Sequence, residues 1–149
     1  MELQKIESRK GFYIGDICYS LKDEYYDEIW GRKNQFEDGI FNVELENGKN
    51  YDFAVYGTKY GDGSYPDSNY NYEFFVDAGV LGVVPYELVD FEKIEKKNSG
   101  VLFVDGPGYA TLEYKDGYFD FTIYNLSNEI VKDIEVDTDD YVEEYYDEY

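Results

Sequence analysis

Tyr109-Ala110-Thr111-Leu112-Glu113-Tyr114-Lys115-Asp116-Gly117-Tyr118-Phe119-Asp120-Phe121-Thr122-Ile123-Tyr124 is the stretch that decides the fold. Asp-Gly suits a type I′ turn, whose two central residues both need positive φ, so Asp116-Gly117 closes a two-residue hairpin loop. Counting outward pairs Tyr114 with Phe119, Leu112 with Phe121 and Ala110 with Ile123 on one face. Glu113 then lies opposite Asp120 on the other face. Like charges so placed cost a few tenths of a kcal/mol up to ~1 kcal/mol.

The same counting applies around Asn47-Gly48. A two-residue loop sets Val43 against Asp52. A three-residue loop ending in Lys49 pairs Leu45 with Tyr51, Val43 with Phe53 and Phe41 with Val55, and is preferred because the apolar residues then meet. It also sets Glu44 across from Asp52. Further strands are expected at about 11–15, 71–77, 80–84 and 101–105, with Gly61 to Asn69 as the longest loop and Asp105-Gly106-Pro107-Gly108 as a turn between strands.

Ser20-Leu21-Lys22-Asp23 has the form of a capping box with Asp in the Glu position, and Leu21, Tyr25 and Ile29 then recur every four residues up to Gly31. One short helix near 21–30 is expected, and a helical turn after Pro85. The fold class is α+β: mainly antiparallel β-sheet, with hairpins at about 41–55 and 109–124. Residues 1–136 form a single β-rich domain, followed by an acidic, Tyr-rich segment at 137–149 that is helical or disordered. In the helical case Tyr141, Val142, Tyr145, Tyr146 and Tyr149 share one side of the helix, with the acids on the other.

Composition frames what this fold is for. The chain has 149 residues with 34 acidic against 13 basic side chains, a net charge of −21. Nine of the acids crowd into the seventeen residues from Asp133 to Tyr149, which hold no base. Such a field attracts cationic partners and repels nucleic acid and anionic membranes. With 19 Tyr and 10 Phe the chain still has the apolar mass for a core. A single cysteine excludes an intramolecular disulfide, and the polar start MELQKIESRK is unlike a secretory signal, so an intracellular address is expected. Small basic clusters at Lys5, Arg9 and Lys10 and at Lys93 to Lys97 are read as solvated surface.

The chain contains no histidine, which removes the usual general base and the commonest transition-metal ligand. Cys18, in an apolar strand context, is expected to be a buried, inert thiol. Asp137-Thr138-Asp139 opens like a calcium loop and Glu148 falls twelve positions in, but Tyr141 and Val142 replace the ligand and the glycine that the turn requires. No cofactor, metal or catalytic residue is assigned. The strongest argument for a reactive site is three aspartates near glycines, Asp16, Asp62 and Asp77.

Gly15-Asp16-Ile17-Cys18-Tyr19, the segment Ile29-Trp30-Gly31, Tyr60-Gly61-Asp62-Gly63-Ser64-Tyr65 and Val76-Asp77-Ala78-Gly79-Val80-Leu81-Gly82 together resemble a family of small uncharacterised bacterial and phage proteins, over about residues 11–90. The resemblance implies a bacterial or phage origin and cytoplasmic life rather than a reaction.

The leading expectation is a non-enzymatic acidic binder that mimics nucleic acid and blocks the basic site of a nucleic-acid-binding protein, such as a host defence nuclease. In charge, though not in sequence, it is similar to the anti-restriction and anti-CRISPR inhibitors of phages. The contacts expected are Asp137, Asp139, Asp140, Glu143, Glu144, Asp147 and Glu148, with Glu44, Asp52, Glu113 and Asp120 as a second patch. Neither nucleic acid nor membrane is a direct partner on this reading, and a dimer is left open. The alternatives are an immunity protein against a nuclease toxin, a small enzyme or ligand-binding protein using Asp16, Asp62 and Asp77, and an accessory protein whose charge prevents aggregation.

Overall fold

Period-two alternation becomes strands throughout the described residues, 3–97 and 100–139 of this computed structural model. In chain order they contain β1 (Ile6–Ser8), β2 (Gly11–Gly15), a 3₁₀ turn (Ile17–Tyr19) and α1 (Asp23–Tyr25), which runs on as a π-helical stretch (Tyr26–Lys33). Then come β3 (Gly39–Glu44), β4 (Asn50–Gly57), β5 (Gly63–Pro66), β6 (Glu73–Val76), β7 (Val80–Pro85), a second 3₁₀ turn (Tyr86–Leu88) and α2 (Phe91–Lys97). The last strands are β8 (Leu102–Asp105), β9 (Gly108–Lys115), β10 (Tyr118–Asn125) and β11 (Ile130–Asp137).

The strands form a four-stranded sheet ordered β1-β9-β10-β11, a five-stranded sheet ordered β3-β4-β7-β2-β8, and the small pair β5-β6, every pairing antiparallel. Leu112, Phe119, Phe121, Ile123, Ile134 and Val136 of the first sheet share one core with Phe12, Ile14, Leu81 and Val83 of the second. The opposite face of the second sheet packs Phe53, Val55 and Val84 against Ile17, Leu21, Trp30 and Leu88. That sheet is therefore covered on both sides, which is why β7 is buried along its whole length and reads as unbroken apolar sequence. Gly82 within it is forced by proximity: a Cβ there would stand 2.0 Å from the Ala54 carbonyl oxygen and 2.9 Å from Ile17.

The 109–124 hairpin has the expected register. Phe119 faces Tyr114, Phe121 faces Leu112 and Ile123 faces Ala110, with φ of 47° at Asp116 and 87° at Gly117 as a type I′ turn requires. The other hairpin corrects the expectation. Its three-residue loop is Glu46-Asn47-Gly48, with Leu45 N–H donating to Lys49 O (2.8 Å) and Gly48 N–H to Leu45 O (2.9 Å). Val43 consequently faces Tyr51 and Phe41 faces Phe53. The cause is local: Asn47 Oδ1 accepts from Lys49 N–H (2.9 Å), and Gly48, at φ 85°, takes the left-handed position that ends such a loop. A slip of two residues keeps every side chain on its expected face but changes the partners.

The helix expected at 21–30 is present but runs from Asp23 to Lys33. Ser20 does not cap it. Leu21, fully buried, bridges Val89, while Lys22 N–H donates to Leu88 O (3.2 Å) and Asp90 N–H to Ser20 O (2.8 Å), holding this segment extended. The expected loop at 61–69 contains β5, which pairs with β6. Asp67, buried, orders the turn that follows by accepting the N–H groups of Asn71 and Tyr72, both at 2.7 Å. Strands β1 and β11 and helix α2 were not anticipated. Among the described residues no helix is long and apolar enough to cross a membrane.

Because Phe121 is almost fully buried between the two large sheets, Phe121→Ala is expected to cost about 3–5 kcal/mol. Urea unfolding followed by tyrosine fluorescence measures it, and a loss below about 1 kcal/mol would contradict the packing described.

Candidate functional site

The hairpin register that buries Phe119 and Phe121 carries a second consequence across three strands. On β10, Asp120 faces Glu113 of β9 on one side and Glu135 of β11 on the other. The next row is Thr111, Thr122 and Asp133, and the row beyond Asp120 is Lys115, Tyr118 and Asp137. Same-face neighbours along a strand stand about 6.6–6.8 Å apart and neighbouring strands about 4.7–4.9 Å apart, so Glu113, Asp120, Asp133, Glu135 and Asp137 form one compact anionic field. Glu113, Asp133, Glu135 and Asp137 are exposed and Asp120, in the centre, is half-buried. Lys115 is the single cation in these three rows.

Hydroxyl groups hold the outer carboxylates in place. Tyr118 Oη donates to Glu135, and Thr122 Oγ1 donates to Asp133 Oδ1 at 3.2 Å. Accepting hydrogen bonds from neutral donors orients the acids without cancelling their charge. Among the described residues the ion pairs lie elsewhere, Arg32 with Glu28 (3.1 Å) and Lys93 with Asp23 (2.6 Å).

Asp120 is the strained member. Its buried Oδ1 has no hydrogen-bond partner among the described residues. The carboxyl of Asp133 lies within hydrogen-bonding reach, and the two close a bond once one of them carries a proton. Burial, that bond and the charges of Asp133, Glu135 and Glu113 raise the Asp120 pKa from 3.8 to about 7. Tyr118 is likewise pushed above the ordinary phenol range, first by its bond to Glu135, then by burial and the surrounding acids.

The remaining expected contacts divide. Asp137 ends β11, so the acidic run begins as a strand of the sheet rather than as a separate tail. Just beyond, buried Thr138 donates its hydroxyl to Gly117 O (2.6 Å) and accepts from Lys59 N–H (2.9 Å), and Asp139 accepts from Tyr60 Oη (3.2 Å). Asp140, Glu143, Glu144, Asp147 and Glu148, with the helix expected there, lie outside the described residues. Glu44 and Asp52 do not join the field or oppose one another. Glu44 faces Asn50, and Asp52 faces Asn42, which donates to it at 2.9 Å while Gln4 donates at 3.0 Å.

Asp16 and Asp77 meet, the Asp16 carboxylate accepting the Asp77 N–H (2.7 Å), and Asp62 Oδ1 lies beside Gly79, two residues on. Burial comes first, and the charges of Cys18, Asp77, Asp16 and Asp62 add to it, in pushing the Tyr19 pKa up to about 12. Asp16, however, is fully buried and already occupied: Oδ1 accepts from Cys18 N–H (2.9 Å) and Oδ2 from the N–H groups of Asp77 and Ala78 (2.7 Å each). It caps the first 3₁₀ turn and ties it to the β6–β7 connection. Cys18 lies in that turn rather than in a strand, half-buried, its thiol raised far above the usual range by burial, then by Asp16. Among the described residues no three His, Cys, Asp or Glu side chains stand where they could hold a metal ion.

Sequence reasoning missed Asp133, Glu135 and Tyr118 as members of the field. A signal was present in Ile134 and Val136, which alternate with Asp133, Glu135 and Asp137 as an edge strand does, but the density of acids there reads as tail. Compared with known proteins, the chain matches no family model, no curated protein and no solved structure.

Two measurements check this description. The folded protein holds a proton on Asp120 that the unfolded chain releases above about pH 4, so this group favours folding at low pH and the contribution is lost as pH rises through about 7. Asp120→Asn is therefore expected to melt above the parent protein at pH 8, with the gap closing toward pH 5; a gap that is constant or reversed would contradict the site. Cys18 is expected to resist alkylation at pH 8 in the native protein and to react readily in urea.

Proposed function

We propose that the outer face of the four-stranded sheet is a rigid anionic template by which this protein, in a bacterial or phage cytoplasm, occupies the basic groove of a nucleic-acid-binding protein. The observation that carries this reading is the row Glu113–Asp120–Glu135, flanked by Asp133 and Asp137, on strands whose reverse side is core. A solvated acidic surface needs no such order, and side chains chosen for stability alone would not set three acids abreast. The protein acts as an inhibitor and not as a catalyst. Lys and Arg side chains that ordinarily meet phosphates meet carboxylates instead, with Tyr118 supplying a flat ring for stacking and cation–π contact.

Competition is the mechanism. The net charge of −21 steers encounter with a cationic groove, and the ordered face then excludes the polynucleotide. The class of partner is a basic defence nuclease or a comparable enzyme, by analogy of charge with the DNA mimics among phage anti-restriction and anti-CRISPR inhibitors. The same geometry suits an immunity protein against a nuclease toxin; the cognate nuclease separates the two. The charge of the field opposes direct contact with nucleic acid or an anionic membrane.

The experiment is capture of partners from host lysate at low salt, followed by nuclease protection with the captured enzyme. Glu113→Gln, Asp133→Asn and Glu135→Gln combined are expected to lower affinity at least tenfold, and raising salt from 50 to 500 mM to release the wild-type complex. A chain ending at Asp139 keeps the ordered field and separates its contribution from that of the last ten residues. Unchanged affinity of the triple variant would overturn the proposal. Asp62→Asn with Asp77→Asn spares the occupied Asp16 and is expected to leave inhibition intact.

A further inference from the structure

On the side of the five-stranded sheet that faces away from the anionic field, a shallow cleft of about 700 Å³ opens between the β1–β2 turn, the start of α1, the second 3₁₀ turn and α2. Its size lies within the range of pockets that seat small ligands or single side chains. Tyr86 and Phe91 form its wall, their ring centroids 4.8 Å apart, and the rings of Tyr13 and Phe103 continue the cluster behind them, 4.6 Å from each other. Phe91 is 42% exposed, so the edge of this aromatic cluster is open to solvent.

A cation already occupies part of this wall. Lys10 Nζ stands 5.0 Å from the centroid of the Tyr86 ring, within cation–π range. The rim is acidic, and its carboxylates differ in how far they are engaged. Glu87 accepts from Ser8 Oγ (2.7 Å) and Arg9 N–H (2.9 Å), and Asp90 accepts from Glu92 N–H (3.0 Å). Glu24 and Glu92 take part in no ion pair among the described residues. An aromatic wall with a lysine resting on it, beside the Glu24 and Glu92 carboxylates that form no ion pair among the described residues, is complementary to one ligand chemistry.

We propose that this cleft binds an arginine side chain of a basic peptide segment, its guanidinium stacked on Tyr86 in the place of Lys10 and paired with Glu92. Arginine fits better than lysine because its planar group stacks on a ring while its N–H fork meets a carboxylate. The site stands on different residues from the anionic sheet face, so it gives a cationic partner a second, separate point of attachment.

The test is titration of the full chain with the peptide acetyl-Gly-Arg-Gly-Arg-Gly-amide, followed by NMR of the aromatic side chains and by calorimetry. The Tyr86 and Phe91 ring resonances are expected to shift saturably. Lys10→Ala, which removes the resident cation, is expected to tighten binding about two- to five-fold, and Glu92→Gln and Tyr86→Leu to weaken it by at least as much. Since Lys10 and Glu92 are exposed, Lys10→Ala and Glu92→Gln decide the question even where Tyr86→Leu fails to fold. Shifts confined to Tyr118 and its neighbours would overturn the cleft and leave the sheet-face proposal standing. No shift at all, or affinity unchanged in both Lys10→Ala and Glu92→Gln, would also overturn the cleft.

Discussion

Burying Phe119 and Phe121 of β10 against the second sheet leaves Asp120 no choice of side, because a strand alternates its side chains with a period of two. The same rule acts on β9 and β11, where Leu112 and Tyr114, then Ile134 and Val136, face inward and send Glu113 and Glu135 out. Core packing and surface charge are thus one decision. A register slip of one residue in β10 that relieved the repulsion would put the Asp120 carboxylate into the core, at several kcal/mol for an unpaired charge. The fold holds the row in place however unfavourable the row is.

The molecule handles its inward acids differently. Asp16 and Asp67 are buried, and each accepts backbone N–H groups that would otherwise lack partners in turns. Those carboxylates support structure, and charge-assisted bonds to N–H groups compensate their desolvation. On the outer sheet face the donors are neutral hydroxyls of Tyr118 and Thr122, which fix direction and leave the charge outstanding. Asp120 retains a proton near neutral pH because burial first, and then its bond to Asp133 and the charges of Asp133, Glu135 and Glu113, disfavour its ionised form. A cationic partner changes this balance: pairing the outer acids removes the repulsion that raises the Asp120 pKa.

Much of this was legible where turn chemistry is strict. Asp116-Gly117 fixes its loop by the positive φ of both residues, so the register and the Glu113–Asp120 pair followed from counting. Around Asn47-Gly48 the same counting failed, because a single glycine at φ 85° is compatible with several loop lengths and the side chain of Asn47 selected among them. Ser20-Leu21-Lys22-Asp23 carries a helix signature, yet the pairing of this segment with Leu88 to Asp90 is a contact between distant residues that no local pattern records. For the same reason β11 was hidden. Its acids alternate with Ile134 and Val136, but only the inner face of the sheet reveals which of the two sets the strand obeys.

The account rests on the claim that Glu113, Asp120 and Glu135 repel one another in the folded state and are kept there by packing behind them. Urea unfolding of the variant carrying Glu113→Gln, Asp120→Asn and Glu135→Gln, at pH 8 and at two salt concentrations, tests it most directly. The account predicts a variant more stable than the parent at 20 mM salt, with the difference shrinking at 500 mM as screening removes the repulsion. A variant less stable than the parent at low salt, or a difference indifferent to salt, would contradict it.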